Sequence, residues 1–277
     1  MLIFNNPDSI HRPPGSDVEF LSHPAKQNGM IELALFQEHR YAFFYWLKWT
    51  RESNIIPCLV SYDWHQDLCF PCETEKKWLD KLDQSNNGDV ALFCWAKLNG
   101  NNDGHILSAA YLNLIGNIYV LCRQGKYDRD WQDEQLIDKY GNIHLIKKFK
   151  SPETLEEYLN TTNETDVYFD IDLDYFTLNN PYNGQGKKFT YMKREDIFGL
   201  LSPNNTLIKW IFDRICGFTI ATEPEHCGGL LKSNKLLNTI SSIYFKPEIF
   251  AKNCDWKHKK GKMKVIKDSI QGILCYF

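Results

Sequence analysis

Two short acidic runs carry side chains whose types and spacing suit metal chemistry: Asp63-Trp64-His65-Gln66-Asp67 and Asp170-Ile171-Asp172-Leu173-Asp174. Carboxylate oxygens are hard ligands suited to manganese or magnesium, and imidazole adds affinity for first-row metals. Each run follows a stretch that reads as a buried strand, Ile55-Ile56-Pro57-Cys58-Leu59-Val60 before the first and Val167-Tyr168-Phe169 before the second. An Asp-x-His-x-Asp run ending one strand and an Asp-x-Asp run ending another bring these ligands to one edge of a sheet. Burying that many carboxylates without a cation is very costly, so a site for two divalent metals is the expected chemistry.

The elements that must position these residues read as alternating strands and helices. Met30 to Phe36 is an expected strand, followed by Gln37-Glu38-His39-Arg40 and an aromatic helix from Tyr41 to about Thr50. A strand over Ile55 to Tyr62 precedes a polar helix near Glu73 to Leu82. Asp103-Gly104-His105 precedes a helical run, Ile106 to Leu114. Strands are expected over Asn117 to Cys122 and Ile143 to Phe149. Ser151-Pro152-Glu153-Thr154 opens a helix, with Ser151 as cap and Pro at the first helical position. Val167 to Asp172 is a strand, Asn205 to Ile215 a helix, and Gly217 to Thr222 a strand ending in Glu223-Pro224-Glu225-His226. This alternation predicts an α/β fold with three layers, α/β/α, around a mostly parallel central sheet. Ligands gather beyond the carboxyl ends of strands in such sheets, and polar residues recur there after Phe36, Tyr62, Phe169 and Thr222.

A chain of 277 residues with a 43% hydrophobic fraction suits one large domain. We expect a single catalytic domain over 1–277, with 1–29 as a lead-in loop and about 245–277 as a C-terminal extension. A strand near Val18-Glu19-Phe20 falls within that loop. The net charge of −3 gives no electrostatic case for a nucleic-acid partner. Met1 to Pro7 lacks a signal-peptide pattern, and no stretch reaches membrane-spanning length. Nine scattered cysteines suit reduced thiols in a cytoplasmic protein.

At these residues the chain resembles the ureohydrolase (arginase) superfamily, and within it the peptide arginase branch. The likeness spans roughly residues 30 to 230. It rests on Glu38-His39 with its aromatic helix, Asp63-Trp64-His65 with Asp67, Asp170-Ile171-Asp172-Leu173-Asp174, and Glu223-Pro224-Glu225-His226-Cys227-Gly228-Gly229. The resemblance implies an arginase-like sheet carrying two Mn2+ ions at its strand ends. It assigns one ion to His39, Asp63, Asp67 and Asp170, and the other to His65, Asp63, Asp170 and Asp172. It further implies conversion of arginine side chains in a ribosomal precursor peptide to ornithine, with release of urea. Asp67 would relay a proton, His105 would donate one to the leaving amine, and Glu223 or Glu225 would grip the guanidinium. The Gly-Gly-Asp-His-Ser signature of free-arginine enzymes is absent around His39, which turns the expected substrate toward a peptide. Small guanidino or formimino compounds and amide deacetylation are the competing substrate classes.

Other motifs have plainer readings. Asp174 and His226 are expected to support the ligands from behind. Cys69-Phe70-Pro71-Cys72 has no second CxxC to complete a four-sulfur zinc site. Tyr41, Phe43, Phe44, Tyr45 and Trp46 read as core. The run from Lys257 to Lys267 holds six lysines and is an expected solvated surface, or a grip for an acidic part of the peptide.

Overall fold

The computed structural model describes residues 11–183 and 186–258. An antiparallel pair, β1 (Asp17–Ser22) and β2 (Met30–Phe36), leads through a turn of 3-10 helix at His39–Tyr41 into α1 (Ala42–Ser53). Then come β3 (Cys58–Tyr62), α2 (Glu73–Asp80), α3 (Asn87–Ala96), α4 (His105–Tyr111), β4 (Ile118–Leu121), β5 (Glu134–Ile137) and β6 (Ile143–Phe149). The second half runs α5 (Pro152–Leu159), β7 (Val167–Asp172), the small hairpin β8 (Thr177–Asn179) and β9 (Thr190–Tyr191), α6 (Arg194–Leu201), α7 (Thr206–Arg214), β10 (Ile215–Ala221) and α8 (Leu230–Tyr244).

The main sheet has the order β1-β2-β10-β7-β3-β4-β6-β5. Its six inner strands are parallel to their neighbours, and the edge strands β1 and β5 run antiparallel. Helices cover both faces. One apolar cluster joins Val60, Tyr62, Phe169 and Ile171 to α5, α6, α7 and α8; the other joins Leu59, Tyr168 and Ala221 to α1, α3 and α4. The fold is therefore the expected three-layer α/β/α with a mostly parallel sheet. Period-2 alternation puts Ser61, Asp170 and Asp172 on the face that α1, α3 and α4 cover.

Local chemistry explains the boundaries. β3 starts at Cys58, later than the apolar run suggested, because Asn54 ends α1 in a left-handed conformation (φ 56°) and Pro57 has no N–H for a ladder. Ile55 and Ile56 are left exposed. Asn86 caps α3 by accepting from the N–H groups of Gly88 and Asp89, and Ser151 caps α5 as expected. The aromatic run of α1 is buried throughout, because that helix lies between the sheet and α3 and α4. α8 presents Leu236, Ile240, Ile243 and Tyr244 at helical spacing to the core.

The chain beyond α8 returns to the sheet. Trp256 donates its indole N–H to the Ser22 carbonyl at 2.7 Å and packs its ring 5.0 Å from Phe212 and Phe245. Among the described residues no helix is long and apolar enough to cross a membrane, and all eight cysteines are free.

Gly217 lies in β10 directly under the Trp49 ring, where any Cβ would overlap it. Gly217→Ala is expected to lower unfolding stability by about 1–3 kcal/mol through overpacking, read from urea denaturation midpoints at an unchanged m-value.

Candidate metal centre

β2, β10, β7 and β3 are consecutive neighbours in the sheet, and their carboxyl ends supply every acidic and imidazole group expected there except His105. Two of the loops repeat one device. Asp63 accepts the His65 N–H at 2.7 Å, and Asp172 accepts the Asp174 N–H at 3.0 Å, each an aspartate turning its own backbone two residues on. The loops are tied together by the Trp64 N–H, which donates to Asp174 Oδ1 at 3.1 Å. Asp67 (φ 52°) and Glu223 (φ 28°) adopt left-handed backbone conformations without being glycine. Such strain costs about 1–3 kcal/mol per residue and concentrates where function demands a geometry.

His39 is the hub. Its Nε2 meets Asp170 Oδ2 at 2.8 Å, while its Nδ1 lies 3.0 Å from Asp67 Oδ2, 3.3 Å from Asp172 Oδ2 and 3.4 Å from Asp63 Oδ2. His65 Nδ1 lies 3.0 Å from Asp174 Oδ2 and 3.7 Å from Asp63 Oδ1. Potential ligand atoms converge in five overlapping groups: His39/Asp63/Asp172, His39/Asp67/His105, Asp63/His65/Asp67, His65/Asp174/His226 and Asp172/Asp174/Glu223. His105 Nε2 is buried without a hydrogen-bond partner, and His39 Nδ1, Asp63 Oδ2 and Asp174 Oδ2 are buried with ion-pair neighbours but no aligned hydrogen bond. Buried orphans of this kind are costly unless something binds them. Mixed carboxylate and imidazole donors, aimed at one another from several sides, fit divalent cations.

Electrostatics show the strain of collecting these charges. Burial, then the Asp174 charge, pushes Asp172 up to about 7. Burial and Asp63 raise Asp67 well above the usual range, and burial also raises Asp174. Glu223 is raised well above its usual value by burial and Asp172. Burial would depress His39, but the Asp170 carboxylate and its neighbours override it and raise His39 well above the usual value. His65 is likewise raised against its burial by Asp174 and Asp63. In Asp63 burial is overridden by the two imidazoles, which lower it. Burial, then His39, lowers His105 well below the usual value.

The structure brings His39, Asp63, His65, Asp67 and Asp172 together, with Glu223 beside them. Asp170 differs from the expected bridging role. Thr219 and Ser61, its register partners on β10 and β3, donate hydroxyls to its two oxygens at 2.6 and 2.7 Å, and His39 Nε2 takes the remaining approach. Asp170 therefore orients the imidazole from behind, as a carboxylate partner does in many metal sites. Asp174, expected behind the ligands, instead stands among the converging groups.

His105 also departs from expectation. Its Nδ1–H donates to the Asn102 carbonyl at 3.0 Å, and the neutral ring leaves a lone pair on Nε2. Of the two glutamates, Glu223 lines a cavity of about 290 Å3 shared with His65, Asp67, Asn102 and His226, whereas Glu225 is exposed and outside its wall. His226 and Asn102 are the groups sequence reasoning undervalued: His226 joins His65 and Asp174, and Asn102 donates to Glu223 at 2.8 Å. The Glu-His spacing after β10 carried a signal for the first; nothing marked the second. Cys69 and Cys72 are both free and exposed, and Cys69 borders the cavity. Of the lysine run only Lys257 belongs to the described residues.

No protein-family model matches this sequence, and no curated protein matches it. Among solved structures, proclavaminate amidino hydrolase from Streptomyces clavuligerus aligns with a TM-score of 0.40 and 11% sequence identity. The alignment covers 68% of this chain and 54% of that one, so this chain spans about half its neighbour's length.

Asp170→Asn is expected to leave the fold intact and weaken metal binding by about tenfold to a hundredfold, measured by titration of the metal-free protein followed by elemental analysis. The pH dependence of the metal-free protein follows from the raised carboxylates. Asp67, Asp172, Asp174 and Glu223 hold protons in the folded state that the unfolded chain has released. The stability they contribute is complete below about pH 4 and is lost as pH rises through their folded values, about 7 for Asp172. The lowered Asp63 adds no slope in that window, and the lowered His105 only a partial opposing one. With chelator present the unfolding midpoint should therefore fall from weakly acidic to neutral pH, and divalent cation should remove that fall.

Proposed function

We propose that this chain is a hydrolase of amidines that holds two Mn2+ ions and converts arginine side chains of a ribosomally made precursor peptide to ornithine, releasing urea. The observation that carries this reading is one cavity whose wall joins metal-competent groups, His65, Asp67 and His226, to the carboxylate of Glu223. The motif resemblance supplies the reaction class. Asp63, Asp67, Asp172 and the imidazoles of His39 and His65 would hold the cations, with Asp174 as an added carboxylate. Bound cations would supply a lowered pKa for water and stabilisation of the negative charge on the attacking oxygen.

The remaining work falls to the protein. Glu223 is fixed by the His39 N–H at 3.2 Å and the Asn102 amide at 2.8 Å, both on Oε1, and its carboxylate pairs with the substrate guanidinium. Ion pairing with that cation restores the charged form that burial disfavours. Asp67 accepts one proton from water and passes it to the departing amine nitrogen; the second water proton follows as the C–N bond breaks, so the balance closes on urea and a protonated ornithine side chain. His105 packs 4.3 Å from His39 and 5.6 Å from Trp46, holding the imidazole hub in place.

The direct test is incubation with manganese and an arginine-containing peptide, scored for urea and for the mass loss of ornithine formation. Free arginine and agmatine serve as comparison substrates. Peptide turnover with little release from the free compounds is the expected result. Urea from the small compounds alone would replace the peptide substrate, and a metal-loaded protein that releases urea from none of them would overturn the reading. Glu223→Gln is expected to cut turnover by about a hundredfold or more at wild-type metal content; loss of metal in that variant would remove Glu223 from guanidinium binding.

A further inference from the structure

A second cleft of about 990 Å3 lies beside the metal-side cavity, and the two share Gln66 and Gln124 as a common wall. Its charge is the reverse of its neighbour's. Arg123, Lys126, Arg129 and Lys148 line it against only two carboxylates, Asp130 and Glu134, in a chain whose net charge is −3. Those carboxylates are largely engaged. Asp130 accepts the backbone N–H groups of Lys126 and Tyr127, both at 2.9 Å, and lies 3.8 Å from Arg129, while Glu134 pairs with Lys148, which leaves the cleft a net excess of two cations. Lys126 and Arg129 lie over the Tyr127 ring, 5.5 and 5.1 Å from its centre, and Arg129 is largely exposed.

The cleft is built onto the metal loop. The Trp64 carbonyl, between Asp63 and His65, accepts the N–H groups of Arg123 and Gln124 at 3.1 and 2.8 Å. Gln66 spans the shared wall, donating to the carbonyls of Gln124 and Asp130. Gly125 turns the rim at φ 141°, where a side chain would overlap the Trp131 ring. A ligand seated in the cleft is therefore held at a fixed distance from the metal-side cavity.

We propose that this cleft binds carboxylate side chains of the substrate peptide next to the arginine that enters the metal-side cavity. This rests on the reading of the chain as a peptide-acting amidine hydrolase. The cleft has over three times the volume of the neighbouring cavity, room for a peptide segment and more than the α-carboxylate of a single amino acid requires. Adjacent pockets of opposite sign select a substrate that carries a guanidinium and acidic residues close together in sequence.

Two peptides test this, one with Asp or Glu flanking a central arginine and one with Asn or Gln in their place, both with blocked termini. The K126E/R129E variant is compared with wild type for KM and kcat of urea release, and for binding of the fluorescein-labelled peptides by anisotropy. The expected result is a rise of about tenfold or more in KM and Kd for the acidic peptide, growing smaller at high salt, with kcat and the neutral peptide unaffected. Equal effects on both peptides, or none on the acidic one, would overturn the assignment. So would displacement of the acidic peptide by a single-stranded oligonucleotide at lower concentration than by unlabelled peptide. If no peptide releases urea, the hydrolase reading fails on that count, while anisotropy still decides whether the cleft prefers carboxylates.

Discussion

Mutual repulsion among buried carboxylates is the constraint on which the rest of this structure depends. Asp63, Asp67, Asp170, Asp172, Asp174 and Glu223 crowd around two imidazoles with little or no access to water. Isolated charges in such a place are disfavoured by several kcal/mol each after relaxation. In the metal-free protein this crowding favours the protonated forms: burial and neighbouring charge push four of the carboxylates upward, and the surrounding carboxylates push both central imidazoles upward. A pair of divalent cations would release those protons and satisfy the same atoms. The fold thus commits to a cluster of carboxylates and imidazoles that could hold a metal ion.

Holding the cluster in place takes the register of four strands. Asp170 sits opposite Ser61 on one side and Thr219 on the other, so two hydroxyls fix it and leave it to orient His39. A slip of one residue in β7 would turn Asp170 and Asp172 onto the other face, among Val60, Tyr62 and Phe218. The apolar residues alternating with the acids are therefore as necessary to the site as the acids. Phe169 and Ile171 anchor the opposite face in the core and make the register unambiguous.

Much of this was legible in the sequence, for a physical reason. Strand runs such as Val167–Asp172 state both their periodicity and their chemistry within a few residues, and the four polar strand ends became four neighbours once the sheet formed. What the sequence hid was depth. Asp170 and Asp174 differ by four residues in one run, and nothing local says which is clasped by hydroxyls and which joins the converging carboxylates and imidazoles. That depends on Ser61 and Thr219, neither of which marks itself as a partner. His105 is similar: its residue type suggested a proton donor, but a carbonyl three residues earlier fixes the other tautomer. The α3 helix was masked by the Asn86-Asn87-Gly88 turn signal that in fact caps it. The helix α8 also went unread, although Leu236, Ile240, Ile243 and Tyr244 stand at helical spacing.

The carboxyl edge of the sheet changes sign along its length, and this gives the molecule a direction. From β2 to β3 the strand ends gather acids and imidazoles; beyond β4 and around β6 and β5 they gather arginine and lysine. The boundary falls at Trp64 and Gln66, inside the metal motif itself, where the backbone of one motif residue accepts hydrogen bonds from the basic loop. Fields of opposite sign on adjoining walls reinforce the binding of a dipolar ligand and oppose any ligand reversed end to end. A small symmetric guanidine would use only one of the two walls. An extended substrate with a cation at one point and anions beside it would use both, and orientation along the edge would then be set before any chemistry begins.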